Sequence, residues 1–340
     1  MTLDRDLNVA LVASAMRGRT GGVGLDLLAA TGVRGLRLLV ETPVFSRFVL
    51  SDRNPEALPV LAANAWPYAD RGARVVRLDA RRSGVKGPFD YVDLDPFGTP
   101  VPYLDAVFPL VTSGGLLGVT ATDMPVLTGV SKGAAERRYG GRPIRGRLGP
   151  EGGLRLLLAE LARRARSAGR SIQPIAGYIH DHHVRALVRV GPPSPEPDPV
   201  ETLDPGTFEG PRLPPGPPYG PMWLGPLFDP GTIAQLEPPR DAGRPREVAR
   251  WIAEFREEAA VPVPFYYESN ELARWRSLAS PPAPDDVVQT LRAMGFAAGR
   301  THARDGAFRT TAPRAIVEEI AVERSPSPRT TGSSRSSARP

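Results

Sequence analysis

Asp95 heads the tetrapeptide Asp95-Pro96-Phe97-Gly98, within Asp93-Leu94-Asp95-Pro96-Phe97-Gly98-Thr99-Pro100. It is also the last of four acids, Asp26, Asp52, Asp79 and Asp95, that lie in or close successive short apolar runs. Two prolines and a glycine force the chain out of the fourth run into a fixed turn. That turn projects the Asp95 carboxylate at the end of a strand, with Phe97 beside it. The exocyclic amine of a purine is a weak nucleophile because its lone pair is delocalised into the ring. A carboxylate and a nearby backbone carbonyl that accept its two N–H bonds orient that lone pair toward an electrophilic methyl group. An adjacent aromatic ring can stack on a flipped-out base.

The three upstream acids suggest what carries the methyl. In a parallel sheet the strand ends share one edge, where open α/β folds bind ligands. Asp26 precedes Ala29-Ala30-Thr31-Gly32-Val33-Arg34-Gly35, a loop with two glycines that lacks the full G-x-G-x-x-G of a dinucleotide clamp. Asp52, 26 residues beyond Asp26, is placed to accept from both hydroxyls of a ribose. Asp79 and Ala80 can offer a side-chain acceptor and a backbone N–H to an adenine edge. Singly, each acid reads more readily as a helix cap or turn residue than as a ligand contact. The ordered series favours an adenosine-containing ligand without a phosphate loop, and S-adenosylmethionine fits that description.

These residues need a sheet to position them. Short runs at 23–28, 47–52, 74–79, 89–95 and 116–123, bounded by Gly, Pro and Asp, alternate with helical patterns. They predict a doubly wound, mainly parallel α/β sheet of the Rossmann-like methyltransferase type. A helix over 154–164 and a pair of strands at 172–179 and 184–190 close a catalytic domain spanning 1–190. Residues 191–240 hold 16 of the 39 prolines, which predicts a linker and an extended entry to a second domain. Helical and extended patterns return over 241–322 as a smaller α+β domain, and 323–340, rich in Ser, Arg and Pro, reads as a disordered tail.

Composition narrows the class. The 43 Lys+Arg against 37 Asp+Glu give a formal charge of +6, and Lys86 and Lys132 are the only lysines. Guanidinium groups bind phosphate and stack on bases, which suits a polyanionic partner; arginine-rich coding bias is the plainer reading. The sequence has no cysteine, so disulfides and thiolate zinc sites are excluded. No apolar stretch is long enough to span a bilayer, and acids occupy the N-terminus where an export signal carries positive charge. The cytoplasm is the expected compartment.

Arg137, Arg138, Arg142, Arg145 and Arg147 surround Tyr139 and Gly140-Gly141 as a candidate mobile basic loop for phosphate, beside the plainer reading of a solvated loop. His302 is a candidate RNA contact, beside the plainer reading of a histidine packed in a small domain. His180-Asp181-His182-His183 is not expected to bind metal, because consecutive strand residues alternate faces and no second ligand cluster is visible.

Four segments together resemble the tRNA (guanine-N2)-dimethyltransferase family, which acts on guanine 26: Asp4-Arg5-Asp6-Leu7, residues 30–37, Asp93 through Pro100, and residues 115–123. Downstream, residues 220–227, Pro264-Phe265-Tyr266-Tyr267 and Arg300-Thr301-His302 look like that family's C-terminal domain. The resemblance implies that Arg5 and Arg34 contact the donor, Asp52 the ribose, and Asp79 with Ala80 the adenine. It makes Asp95 the catalytic acceptor, with Pro96 and Phe97 shaping the guanine pocket, and implies a tRNA clamped between two domains. Family members carry a longer segment before Asp-Arg-Asp, which suggests either a start upstream of Met1 or a more open donor pocket here. Many hold a four-cysteine zinc site that is absent here. Where relatives have a Cys-His-Glu stretch, only Glu151 remains, and it is expected to do no more than cap a helix. The alternatives are an amino-directed methyltransferase for another RNA or DNA base, and a tRNA-binding protein impaired in catalysis.

Overall fold

The computed structural model describes residues 2–82, 86–131 and 133–325. Helix α1 (Thr2–Ala15) buries Leu3, Leu7, Leu11 and Val12 together with Asp4, Asp6 and Asn8. It is enclosed on several sides, so no single apolar stripe marks it in the sequence. Strands β1 (Gly22–Asp26), β2 (Phe45–Asp52) and β3 (Ala73–Arg77) follow, with α2 (Val33–Glu41) and α3 (Ala57–Ala65) as crossovers. Then come β4 (Phe89–Leu94), α4 (Leu104–Val107), β5 (Val111–Ala121), α5 (Met124–Leu127), α6 (Ala134–Tyr139) and α7 (Gly149–Ser167). The hairpin β6 (Ser171–His180) and β7 (His183–Gly191) completes the sheet.

The seven strands lie in the order β3-β2-β1-β4-β5-β7-β6. β1 to β5 are mutually parallel, and β7 runs antiparallel to its neighbours β5 and β6. The chain winds outward from β1 to β3 and then returns to lay β4 on the other side of β1. That reversal opens a crevice at the carboxyl ends of β1 and β4, where such folds bind ligands. Asp26 and Asp93 sit opposite each other at its floor.

The proline-rich segment is not a linker. It forms the antiparallel pair β8 (Val200–Leu203) and β9 (Tyr219–Trp223), followed by α8 (Pro230–Ala234). Leu203, Met222, Trp223, Leu227, Phe228, Ile233 and Leu236 are buried in the main core. A two-stranded pair has only edges, so proline's missing N–H is tolerated there while the apolar residues anchor the segment. Helix α9 (Pro245–Ala259) packs Trp251 and Phe255 onto Tyr178 of β6. The first body therefore extends to about residue 266 rather than 190.

A second, smaller core starts at Tyr267 and includes Leu272, Val287, Leu291, Phe308, Val317 and Ile320. It is built from β10 (Tyr267–Glu268), α10 (Ser269–Arg276), α11 (Pro284–Ala293), β11 (Ala298–Arg300), β12 (Ala307–Thr310) and α12 (Arg314–Glu323). The expected α+β domain is thus present, but it begins near 267 and not at 241. Most of the expected tail, from residue 326, lies outside the described residues.

Buried charge joins the two bodies, and here two expectations are corrected. Glu151, in the first turn of α7, accepts from Arg155 Nε at 2.8 Å, from both terminal nitrogens of Arg309 at 3.0 and 2.9 Å, and from the Phe265 N–H at 2.8 Å. It is a fully buried hub, not a helix cap. Arg309 also donates from Nε to Glu258 at 2.9 Å. The imidazole of His302 is fully enclosed, held by Glu258 through Nδ1 and by the Ile179 N–H through Nε2. A ring so enclosed and doubly bonded presents nothing to RNA.

Candidate active site

β4 is buried along almost its whole length, and Tyr91, Asp93 and Asp95 share one face of it by the two-residue period of a strand. Asp95 is the first of the three beyond the strand's end, with its side chain one-third exposed in the crevice. Pro96 is buried behind it. Gly98 takes a left-handed φ of 80°, which lets the chain reverse sharply. The turn is fastened to the end of β5: Gly98 N–H donates to Thr122 Oγ1 at 2.7 Å, and Thr122 N–H donates to Gly98 O at 2.9 Å. Beyond it, Thr99 Oγ1 meets the Tyr139 hydroxyl at 2.8 Å, and that hydroxyl donates to Asp123 at 2.7 Å. The fastened turn holds the Phe97 ring fully in solvent, at 105% relative exposure.

A buried polar network supports Asp95 from below. Arg34, on the first turn of α2, donates to Asp93 Oδ1 at 2.8 Å and forms an ion pair with Asp95 Oδ2 at 2.7 Å. Asp93 is held on its other oxygen by Arg185 at 2.5 Å and by the Tyr91 hydroxyl. Arg185 also donates to Thr120 Oγ1 and to Asn8 Oδ1, each at 2.7 Å, which binds α1 into the network. Burial pushes the Asp93 carboxyl up, but Arg185 and Arg34 outweigh it and hold it down at about 2. Burial, reinforced by the negative Asp93, pushes Asp26 up to about 8. The crevice floor thus pairs one carboxyl held low by its arginines with one pushed up by burial and by its neighbour's charge.

The predicted donor residues line the same edge. Asp52 accepts the Ala30 N–H at 3.0 Å and the Asn54 N–H at 2.9 Å, one on each oxygen. Each oxygen keeps a second lone pair, so the carboxylate can still take ribose hydroxyls. Asp79, with Arg53, Asn54, Pro55, Arg77 and Leu78, borders an open cleft of about 740 Å³ beside Asp52, and Ala80 is buried next to it. Gly32 caps α2 in a left-handed conformation, and a Cβ there would come within 2.7 Å of Leu61. The loop is therefore packed against Leu61 of α3 and Leu50 of β2. Strand-end acceptors beside a loop without the full G-x-G-x-x-G fit an adenosine that carries no pyrophosphate. Arg5 is half-buried on α1 and makes no ion pair among the described residues.

Of the other predicted contacts, the arginine segment is α6 and the turn after it, not a free loop. Arg138 reaches Asp123 at 3.3 Å, Arg142 lies 5.1 Å over the Tyr219 ring, and Arg147 pairs with Glu268 and Glu271. Arg137 and Arg145 are exposed. Sequence reading missed Arg185, Tyr91, Asn8, Thr122 and Tyr139. Only Arg185 carried a local signal, as a charged residue among apolar neighbours on an inner strand.

A family profile described as "N2,N2-dimethylguanosine tRNA methyltransferase" matches residues 1–198 and 217–322. A tRNA (guanine(26)-N(2))-dimethyltransferase from Thermococcus kodakarensis is 35% identical, covering 94% of this chain and 91% of that protein. The enzyme of the same name from Methanospirillum hungatei is 33% identical, covering 94% and 89%. The solved complex of Trm1 from Pyrococcus horikoshii with S-adenosyl-L-methionine superposes with a TM-score of 0.80 at 26% identity, covering 94% of this chain and 92% of that one. With a matching profile over most of its length and relatives above 30% identity across both bodies, the chain belongs to the N2,N2-dimethylguanosine tRNA methyltransferase family.

Proposed function

We propose that this chain transfers methyl groups from S-adenosylmethionine to the exocyclic N2 of guanine 26 in tRNA. The observation that carries the reading is Asp95, fixed by Arg34 on a fastened turn, beside a fully exposed Phe97. Asp52, Asp79, Ala80 and Arg5 hold the donor, which supplies an electrophilic methyl on a sulfonium. Phe97 covers one face of the extruded guanine. Asp95 accepts one N2–H and a backbone carbonyl of the turn accepts the other, which directs the nitrogen lone pair at the methyl. Asp95 then holds the proton that N2 must lose, at the oxygen that accepted its hydrogen bond. Arg137, Arg138 and Arg145 offer exposed guanidinium groups for phosphate. Because the substrate is tRNA, this reading assigns the protein to the cytoplasm.

The test is to incubate the protein with labelled donor and unmodified tRNA, or the same tRNA carrying adenine at position 26, and to identify the labelled nucleoside. Label in N2-methylated guanosine from the first tRNA alone is expected. Label in another nucleoside would overturn the substrate assignment, and no label the enzymatic one.

A further inference from the structure

His180 and His183 face each other across the β6–β7 hairpin as a register pair, separated by the two-residue turn Asp181-His182. Directly opposed residues on paired strands share a face. The alternation that argues against a cluster in a continuous strand therefore brings these two rings together, with centroids 5.7 Å apart. The third member comes from α1. Asp4 Oδ1 lies 2.9 Å from His180 Nδ1 and 2.9 Å from His183 Nε2. All three donor atoms lie within 4.8 Å of one another.

We propose that Asp4, His180 and His183 bind a divalent transition-metal ion of the zinc class. Two imidazoles and one carboxylate form a facial ligand set with open positions for water. With metal–ligand bonds of about 2.0–2.1 Å, neighbouring donors of a tetrahedral ion stand roughly 3.3 Å apart, so the two Asp4 contacts at 2.9 Å need to open only slightly. Each ligand sits on a regular element, and the His180 ring packs edge-on against Trp251 at 5.3 Å. The far nitrogen of His180 lies 3.6 Å from the exposed Asp181 carboxylate, an ion-pair distance rather than a hydrogen bond. The three side chains keep between 8 and 19% exposure, which gives an ion a way in. The ion ties α1, which carries Arg5, to the hairpin at the sheet edge that holds the crevice.

The test uses untagged full-length protein, stripped with chelator and titrated with Co2+ by calorimetry and visible absorption, with Zn2+ as competitor. One displaceable Co2+ per chain is expected. His183→Asn and Asp4→Asn should each weaken binding by about 100-fold, whereas His182→Asn, outside the cluster, should leave it unchanged. Absence of stoichiometric binding, or equal loss in His182→Asn, would overturn the proposal. Should a variant fail to fold, the wild type still decides. Its Co2+ form should show two contact-shifted exchangeable imidazole protons, one per ligand histidine, and none would count against the site. None of these readouts depends on methyl transfer.

Discussion

Arg34 and Asp95 are joined at 2.7 Å by a guanidinium whose other terminal nitrogen holds Asp93 at 2.8 Å. One planar group thereby sets the distance between a carboxylate at the strand's buried end and one in the crevice. Arg34→Ala should lower kcat by about 100-fold, as expected for a misplaced reacting group, with little change in the donor's KM. Arg34→Lys should recover only part of this, because an ammonium cannot span both acids as a fork. Steady-state kinetics in both substrates checks the point. A raised donor KM at unchanged kcat would instead place Arg34 among the donor contacts, as the family resemblance implied.

Asp95→Asn keeps the size of the side chain and removes its charge and proton affinity. Transfer should fall by about 100- to 10,000-fold, the range of general-base contributions, while tRNA affinity by filter binding stays near wild type. Parallel loss of both would make Asp95 a structural residue.

Phe97→Ala touches no core contact, so thermal stability should be unchanged. If the ring stacks on the substrate base, kcat/KM for tRNA should drop by roughly 10- to 100-fold, corresponding to about 1–3 kcal/mol per stacked base. An unaltered kcat/KM would remove Phe97 from the site.

Glu151→Gln leaves Arg155 and Arg309 facing a neutral group inside the joint between the two bodies. Breaking one side of a buried ion pair costs about 3–5 kcal/mol, which urea unfolding would register. The same joint sets an acid limit. Burial alone would raise the Glu258 carboxyl, but His302 and Arg309 hold it at about 2, against 4.5 for a free glutamate. A carboxyl held low when folded contributes stability that is complete above its unfolded value and lost as pH falls through its folded one. Stability should therefore decline between about pH 4.5 and 2, and Glu258→Gln should flatten that decline.

The parallel strands were legible because each is a short apolar run closed by an acid, a glycine or a proline, and the four strand-end acids all reach one edge. The Asp95 turn was legible for the same local reason. What escaped depends on pairing across the fold. Arg185 and Asp93 are 92 residues apart, and nothing near either reveals that each neutralises the other. Glu151 looked like a first-turn acid until Arg309, 158 residues away, was placed against it. His302 carried no mark of its enclosure by Glu258 and β6. β8 and β9 were hidden by their prolines, which in a longer sheet would have ruled out strands.

The exposed ring of Phe97 has a consequence for the resting protein. Water next to a bare aromatic face is a standing free-energy cost that the folded chain carries before any substrate arrives. Because Gly98 and Thr122 fasten the turn, the ring has no easy way to fold back and shed that water. Only a flat partner can relieve it, and a base still stacked in its helix cannot approach. If guanine stacks on that ring, part of what drives it out of the RNA is held, as unfavourable hydration, on the surface of the protein itself.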